Sequence, residues 1–251
     1  MSGHSKWKTN KAKKAAADAK KGAMYTKIIK EITVAAREGG GNPETNAKLR
    51  TAIARAKEAN MPQENIKMAI KRGTGELPGV TYESVTYEGY APAGVALLIE
   101  AITDNKNRTT AEIRNIMSKK NGNLAGSGSV SWMFSMKGCI SVKKEIISED
   151  ELLSIVLDAG AEDVKSESDT YEIYSKPQDF ENVKQALQKK GIPWEQAEIT
   201  MVPSSTIKLN ATDAKAVLAL IDALEEHDDV QQVYANFDIP DEIMEQISSG
   251  Q

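Results

Sequence analysis

Hydrophobic spacing changes character once along this chain, and that change limits the folds open to it. As far as Arg72 the apolar residues recur at helical intervals. Beyond Val80 they fall into short, strand-sized runs that alternate with helical stretches. The segment between, residues 74–80, has Gly or Pro at three of its seven positions and reads as a linker. The expected class is therefore α+β, with an all-helical N-terminal domain followed by a mixed body.

Within the helical part, Ala12, Ala15, Ala16 and Ala19 share one face over residues 10–21. Lys11, Lys14 and Lys21 flank it on one side, with Lys13 and Lys20 on the other. A second stripe, Met24, Ile28, Ile32 and Ala35, is rotated away from the alanine face, so a kink or break is expected at Gly22. Gly39-Gly40-Gly41 ends this helix, and Asn42-Pro43 offers a cap and first-turn proline to the next. That helix would bury Leu49, Ala52, Ile53 and Ala56. A third, after Pro62, would bury Ile66, Ala69 and Ile70 and stop at Gly73.

In the mixed part, strands are expected at 82–88 and 95–103, then a helix at 109–120 and a strand at 129–134. A second unit follows: strand 138–142, a helix opened by a Ser148/Glu151 capping box, strands 163–167 and 171–174, a helix burying Phe180, Val183 and Leu187, and strand 198–202. That β-α-β-β-α-β order is ferredoxin-like. Strand 206–209, a helix with Ala216, Val217, Leu220, Ile221 and Leu224, and strand 231–235 are too few to enclose a core. They are expected to complete the sheet begun at Tyr82, which makes the ferredoxin-like unit an insertion. The expected domains are 1–76 (basic, helical), 77–136 with 205–240 (α+β), 137–204 (acidic ferredoxin-like insert) and a tail, 241–251.

Charge divides the same way. The first thirty residues carry nine lysines and one acid, Asp18. Residues 1–72 hold 17 Lys/Arg against 6 Asp/Glu, whereas residues 73–251 hold 15 against 30, giving the chain its net −4. One end would attract a polyanion and the other repel it, the footprint of a nucleic-acid-binding segment. The longest apolar run, residues 95–99, is far short of the ~20 needed to span a bilayer. The basic start has no apolar segment behind it, so it is no secretory signal. A Lys/Ala arm resembles an organelle transit peptide, but Asp18 and the scarcity of Ser and Arg weigh against that. The single cysteine, Cys139, cannot form an internal disulfide, which fits a reducing cytoplasm, and reads as a small core residue of a strand.

Catalytic chemistry finds little support. The only histidines are His4 and His227; zinc-ligand spacing, a G-x-S-x-G and a Walker A sequence are all missing. No catalytic residue, metal or cofactor is expected. The Gly-rich stretch 122–128 follows a helix and precedes a strand, the reverse of a phosphate-cradling loop. Glu225, Glu226, Asp228 and Asp229 read as a solvated charge run. The basic arm is different, because Trp7 sits between Lys6 and Lys8, just after His4 and Ser5. Lysines neutralise phosphates; the indole either stacks on an unpaired base or folds back on its domain. The candidate interface is His4, Lys6, Trp7, Lys8, Lys11, Lys13, Lys14, Lys20 and Lys21, continued by Arg50, Arg55, Lys71 and Arg72, with Lys48, Lys57 and Lys67 beside them. A second contact is proposed at Lys106, Arg108, Lys119 and Lys120 with Gly126, Ser127 and Gly128. The alternative there is a simple connector and a helix-entry turn at 105–108.

The motifs Gly3-His4-Ser5-Lys6-Trp7, Asp18-Ala19-Lys20-Lys21-Gly22 and Glu31-Ile32-Thr33-Val34-Ala35-Ala36-Arg37 resemble the YebC/PmpR family. So do Ala59-Asn60-Met61-Pro62, Tyr87-Glu88-Gly89-Tyr90, 103–109 (TDNKNRT) and 126–134 (GSGSVSWMF). The likeness spans nearly the whole chain. Two departures are Asn10, where many members are aliphatic, and Ala12, where a basic residue or His is common. The resemblance implies a three-domain crescent, with the third domain inserted in the second, and a cytoplasmic, non-enzymatic regulator of gene expression. Bacterial members are described as DNA-binding transcriptional regulators. The mitochondrial relative is a translational activator, and bacterial members have been linked to stalled ribosomes. Duplex DNA and ribosomal RNA therefore both stand as partners, the protein being expected to act as a monomer. A small-molecule-sensing ferredoxin-like domain, with a pocket between 163–175 and its helices, is the alternative of another class.

Overall fold

The computed structural model describes residues 19–249. Three helices open it: α1 (Ala19–Gly39), α2 (Ala47–Glu58) and α3 (Gln63–Gly73). Ile28, Ile32 and Ala35 of α1 meet Leu49, Ala52 and Ala56 of α2 and Ile66 and Ala69 of α3, and this stripe-to-stripe contact is the domain's core. Gly73 is required where α3 crosses α1, since a Cβ there would lie 2.4 Å from the Thr33 carbonyl oxygen. Helix α1 runs through Gly22 without the expected break. The second helix is capped by Asn46, not Asn42: its side chain accepts from the Leu49 N–H at 3.1 Å and donates to the Ala35 carbonyl at 2.7 Å. Residues 43–45 form a turn instead.

The α+β body begins with β1 (Glu83–Tyr90), β2 (Ala96–Thr103), α4 (Lys106–Lys119) and a two-residue β3 (Asn123–Leu124). After an excursion the chain returns with β8 (Ile207–Lys208), α7 (Ala211–Glu225), β9 (Val230–Ala235), β10 (Phe237–Asp238) and α8 (Asp241–Ser249). The main sheet has the order β3-β1-β2-β9, so β9 does complete the sheet begun by β1. Strand β8 does not join it; it pairs with β10 in a parallel two-stranded sheet. The expected tail holds α8, whose Met244 enters the core. One sheet face, with Leu97, Ile99, Val233 and Ala235, packs on Ile113 and Met117 of α4 and on Val217, Leu220 and Leu224 of α7.

The excursion is β4 (Phe134–Lys143), α5 (Glu149–Val156), β5 (Ala161–Ser166), β6 (Thr170–Ser175), α6 (Phe180–Lys189) and β7 (Gln196–Pro203). Its antiparallel sheet, β5-β6-β4-β7, has the ferredoxin-like arrangement inserted in the second domain. Strands β4 and β7 are both the way in and the way out, paired from Phe134 opposite Pro203 to Ser141 opposite Gln196. The expected strand at 129–134 is a 3-10 turn, Ser131–Met133, with β4 starting only at Phe134. Ser148 caps α5 by position but makes no side-chain hydrogen bond, so the capping box is not formed. Cys139 is not in the helix-packed core. Ile140 and Val142 fill that face, while Cys139 sits opposite Tyr174 on the other, its thiol pushed up by burial and by Glu172 and Glu198.

Candidate nucleic-acid interface

On the helical domain, geometry separates two kinds of cation. Those on the flank of α2 facing α1 are neutralised: Lys48 pairs with Glu38 at 2.9 Å and Arg55 with Glu31 at 3.1 Å. Lys67 pairs with Glu64 along its own helix. Arg50 and Lys57, seven residues apart and so on one face of α2, are exposed and have no carboxylate partner among the described residues. Arg37, Lys71 and Arg72 share that condition, each in the last turn of its helix, where cations complement the helix dipole. Of the four helical-domain residues expected in the interface, Arg50, Lys71 and Arg72 are thus open to solvent and Arg55 is tied down. His4, Lys6, Trp7, Lys8, Lys11, Lys13 and Lys14 lie outside the described residues. Lys20 and Lys21 fall in the first turn of α1.

The second proposed contact is split by the fold. Lys106 and Arg108 stand at the start of α4 and Lys119 and Lys120 at its end. Fourteen residues of helix place the two groups about 20 Å apart. Arg108 is also engaged, donating to Asp104 at 2.8 Å and to Asp229 at 2.8 Å. At the helix entry Asn105 accepts from the Arg108 N–H, so that turn is an N-cap.

The Gly-rich segment proves to be an anchored loop. Glu88, 6% exposed, accepts from the backbone N–H groups of Gly128 at 2.7 Å, Val130 at 2.7 Å and Ser131 at 2.8 Å. Burial alone would raise its pKa; the three N–H donors outweigh this and hold it below the usual carboxylate value. Backbone donors of the kind that cradle a phosphate are thus occupied by the protein's own carboxylate. What the loop displays is Trp132, 74% exposed, with its indole N–H donated to the Ser129 carbonyl at 3.1 Å. Sequence reasoning passed over both residues. The signal for Glu88 was an acid set between Tyr87 and Gly89, at the end of its strand that runs into the buried sheet.

The acidic helix end also differs from expectation, since Asp229 is buried rather than solvated. It accepts from Lys30 at 2.6 Å, from Arg108 at 2.8 Å and from the Thr109 hydroxyl at 2.6 Å. Burial would raise its carboxyl, but Lys30, Thr109 and Arg108 hold it well below the usual range. Its N–H donates to His227, whose other ring nitrogen lies 2.9 Å from Glu112. Lys30, Arg108, Glu112, His227 and Asp229 line a cleft of about 580 Å³ between α1 and the body. Glu112, His227 and Asp229 offer donor atoms within 4.8 Å of one another. A metal there would have to displace the Lys30 and Arg108 cations from Asp229, so the residues do not fit one. The sensing pocket imagined between 163–175 and the helices is filled by Val142, Leu152, Ile173, Val183 and Leu187. Among the described residues no helix is long and apolar enough to cross a membrane.

A basic helical domain, joined through a buried ion network to an α+β body with a ferredoxin-like insert, defines a specific three-domain class. Residues 5–76 match the family model described as the TACO1/YebC protein N-terminal domain, and residues 82–237 that of the TACO1/YebC second and third domain. The chain belongs to the TACO1/YebC family. A probable transcriptional regulatory protein of Dictyoglomus turgidum is 57% identical over 249 residues, covering 99% of this chain and all of the relative. One of the same name from Syntrophus aciditrophicus is 56% identical over 250 residues, with 99% and 100% coverage. The crystal structure of a conserved hypothetical protein from Aquifex aeolicus, 52% identical, superposes with a TM-score of 0.76 over 90% of this chain and 94% of that one.

Proposed function

We propose that this protein is a nucleic-acid-binding regulator of gene expression that acts as a monomer in the cytoplasm. The observation that carries this reading is the segregation of charge. The helical domain turns Arg37, Arg50, Lys57, Lys71 and Arg72 to solvent without carboxylate partners among the described residues, and the lysine arm precedes it in sequence. Relatives more than half identical over their full length are named probable transcriptional regulatory proteins, which supports transcription control through DNA.

Trp132 favours a second reading, binding to ribosomal RNA in a translational role. Bases in duplex DNA must first be unstacked, at a cost of a few kcal/mol per step, to receive an indole, whereas unpaired bases of folded RNA receive one directly. Sequencing the nucleic acid crosslinked to the full-length protein in cells separates the two. Enrichment of promoter DNA supports the first reading and of ribosomal RNA the second; enrichment of neither overturns both.

A further inference from the structure

The helical domain and the body share no apolar core. The cluster of the first ends at Ile70, and no cluster of the body contains a residue before Val85. The chain passes from one to the other through residues 74–80, exposed apart from the half-buried Leu77 and with Gly75 at φ +82°. What joins the two is one face of α1. Lys27 donates to the Glu225 carbonyl at 2.6 Å. Lys30, three residues on, donates to the Asp228 carbonyl at 3.0 Å and to the Asp229 carboxylate at 2.6 Å. Its ammonium also lies 5.7 Å from the centroid of the Tyr82 ring. Val34, a turn further along that face, is buried without belonging to either core.

Glu225 is the last residue of α7, where the final carbonyls carry the negative end of the helix dipole. That helix has no basic residue in its own last turn, so its end is capped by cations from another domain. The body does not depend on this cap. Without Lys30, Asp229 still accepts from Arg108 at 2.8 Å and from Thr109 at 2.6 Å, and the freed lysines regain water. A buried ion pair gains little over its hydrated parts, and polar joints of this kind permit relative domain motion. We propose that the joint is an electrostatic latch. The helical domain is closed on the body while Lys27 and Lys30 sit on the end of α7, and it swings as a rigid unit about residues 74–80 when they leave. The latch thereby sets the angle at which the basic domain stands to the acidic remainder of the chain.

The test measures distances in the full-length protein by single-molecule fluorescence energy transfer, with Cys139→Ala reserving thiol chemistry for the labels. One label pair, on Glu44→Cys and Lys215→Cys, spans the joint from exposed positions. A control pair, on Lys119→Cys and Lys215→Cys, lies within the body. At low salt the spanning pair should report one dominant distance. A second should grow as KCl is raised to 1 M, where the Debye length is about 3 Å. Lys27→Gln with Lys30→Gln removes three charge-assisted hydrogen bonds, so the second distance should gain at least about tenfold at low salt. Lys48→Gln with Lys67→Gln takes the same charge from the domain at pairs within it, and should behave as the parent. A single distance in the Lys27/Lys30 variant at every salt concentration would overturn the latch. So would an equal gain in the Lys48/Lys67 variant, or a control pair that shifts together with the spanning pair. No nucleic acid enters the experiment, so its outcome is separate from the functional reading.

Discussion

Lys30, in the middle of α1, and Asp229, immediately before β9, meet at 2.6 Å across the boundary between the helical domain and the body. Both side chains are under a tenth exposed. Removing one partner leaves the other charged and buried, which in such pairs costs about 3–5 kcal/mol. Asp229→Asn should therefore lower stability by about that much in urea titration. Lys30→Met should lower it by less, because Arg108 and Thr109 still hold the Asp229 carboxylate, and the double variant should lose less than the sum. Additive losses would show that the two side chains do not interact.

The same carboxyl sets a pH dependence. Its folded pKa lies below the unfolded value near 4, so the stabilisation is complete above about pH 5 and is lost as pH falls through the folded value. Parent and Asp229→Asn stabilities should converge in acid and separate as pH rises towards neutrality. A constant gap from pH 3 to 7 would assign the loss to shape rather than charge.

Glu88 should govern the order of the loop before Trp132. In Glu88→Gln one carboxylate oxygen becomes a donor facing backbone N–H groups. The amides of Gly128, Val130 and Ser131 should then exchange with solvent roughly 5 to 150 times faster, an opening free energy lower by about 1–3 kcal/mol. Unchanged protection at these amides would show that the loop is held by other contacts.

Trp132→Ala removes an exposed side chain and should leave Tm within a degree or two. If the indole stacks on an unpaired base, affinity for single-stranded RNA should fall by about 1–3 kcal/mol, with duplex DNA unaffected. Equal binding of RNA by parent and variant would remove Trp132 from the interface.

Cations should matter according to their partners. Replacing Arg50, Lys57, Lys71 and Arg72 with Gln should weaken nucleic-acid binding and flatten its salt dependence by roughly one unit of slope per lost contact on duplex DNA. Replacing Lys48 and Arg55, paired to Glu38 and Glu31, should change both far less. Replacing Lys11, Lys13, Lys14, Lys20 and Lys21 should have the largest effect. Equal effects from the three sets would point to bulk charge alone.

Much of this architecture was legible because each core face repeats at one period. Ile28, Ile32 and Ala35 announced α1, and the β-α-β-β-α-β order announced the insert. Misreadings fell where tertiary contacts overrule local preference. Asn42-Pro43 looks like a helix start, yet Asn46 wins because its amide also reaches Ala35 and Gly40 of the preceding helix end. Residues 129–134 look like a strand, yet Glu88, some forty positions away, binds their N–H groups and bends them into a turn. The site was half legible for the same reason. Composition reveals where cations are, but only the packing of α2 on α1 decides which of them are already neutralised.

Phe134 and Pro203 face each other as the first pair of the β4–β7 ladder, about 5 Å apart, the spacing of neighbouring strands. A chain that departs and re-enters at adjacent points makes the insert a graft on a single stem. Bridging the stump takes no more than a hairpin turn, and the host sheet, β3-β1-β2-β9, contains none of the graft's strands. Its foot is not independent, because Phe134 and Met201 pack against Ala96 and Leu98 on the second face of the host sheet. The stem is therefore bound to its host, and the freedom to diverge belongs to the strands and helices beyond it.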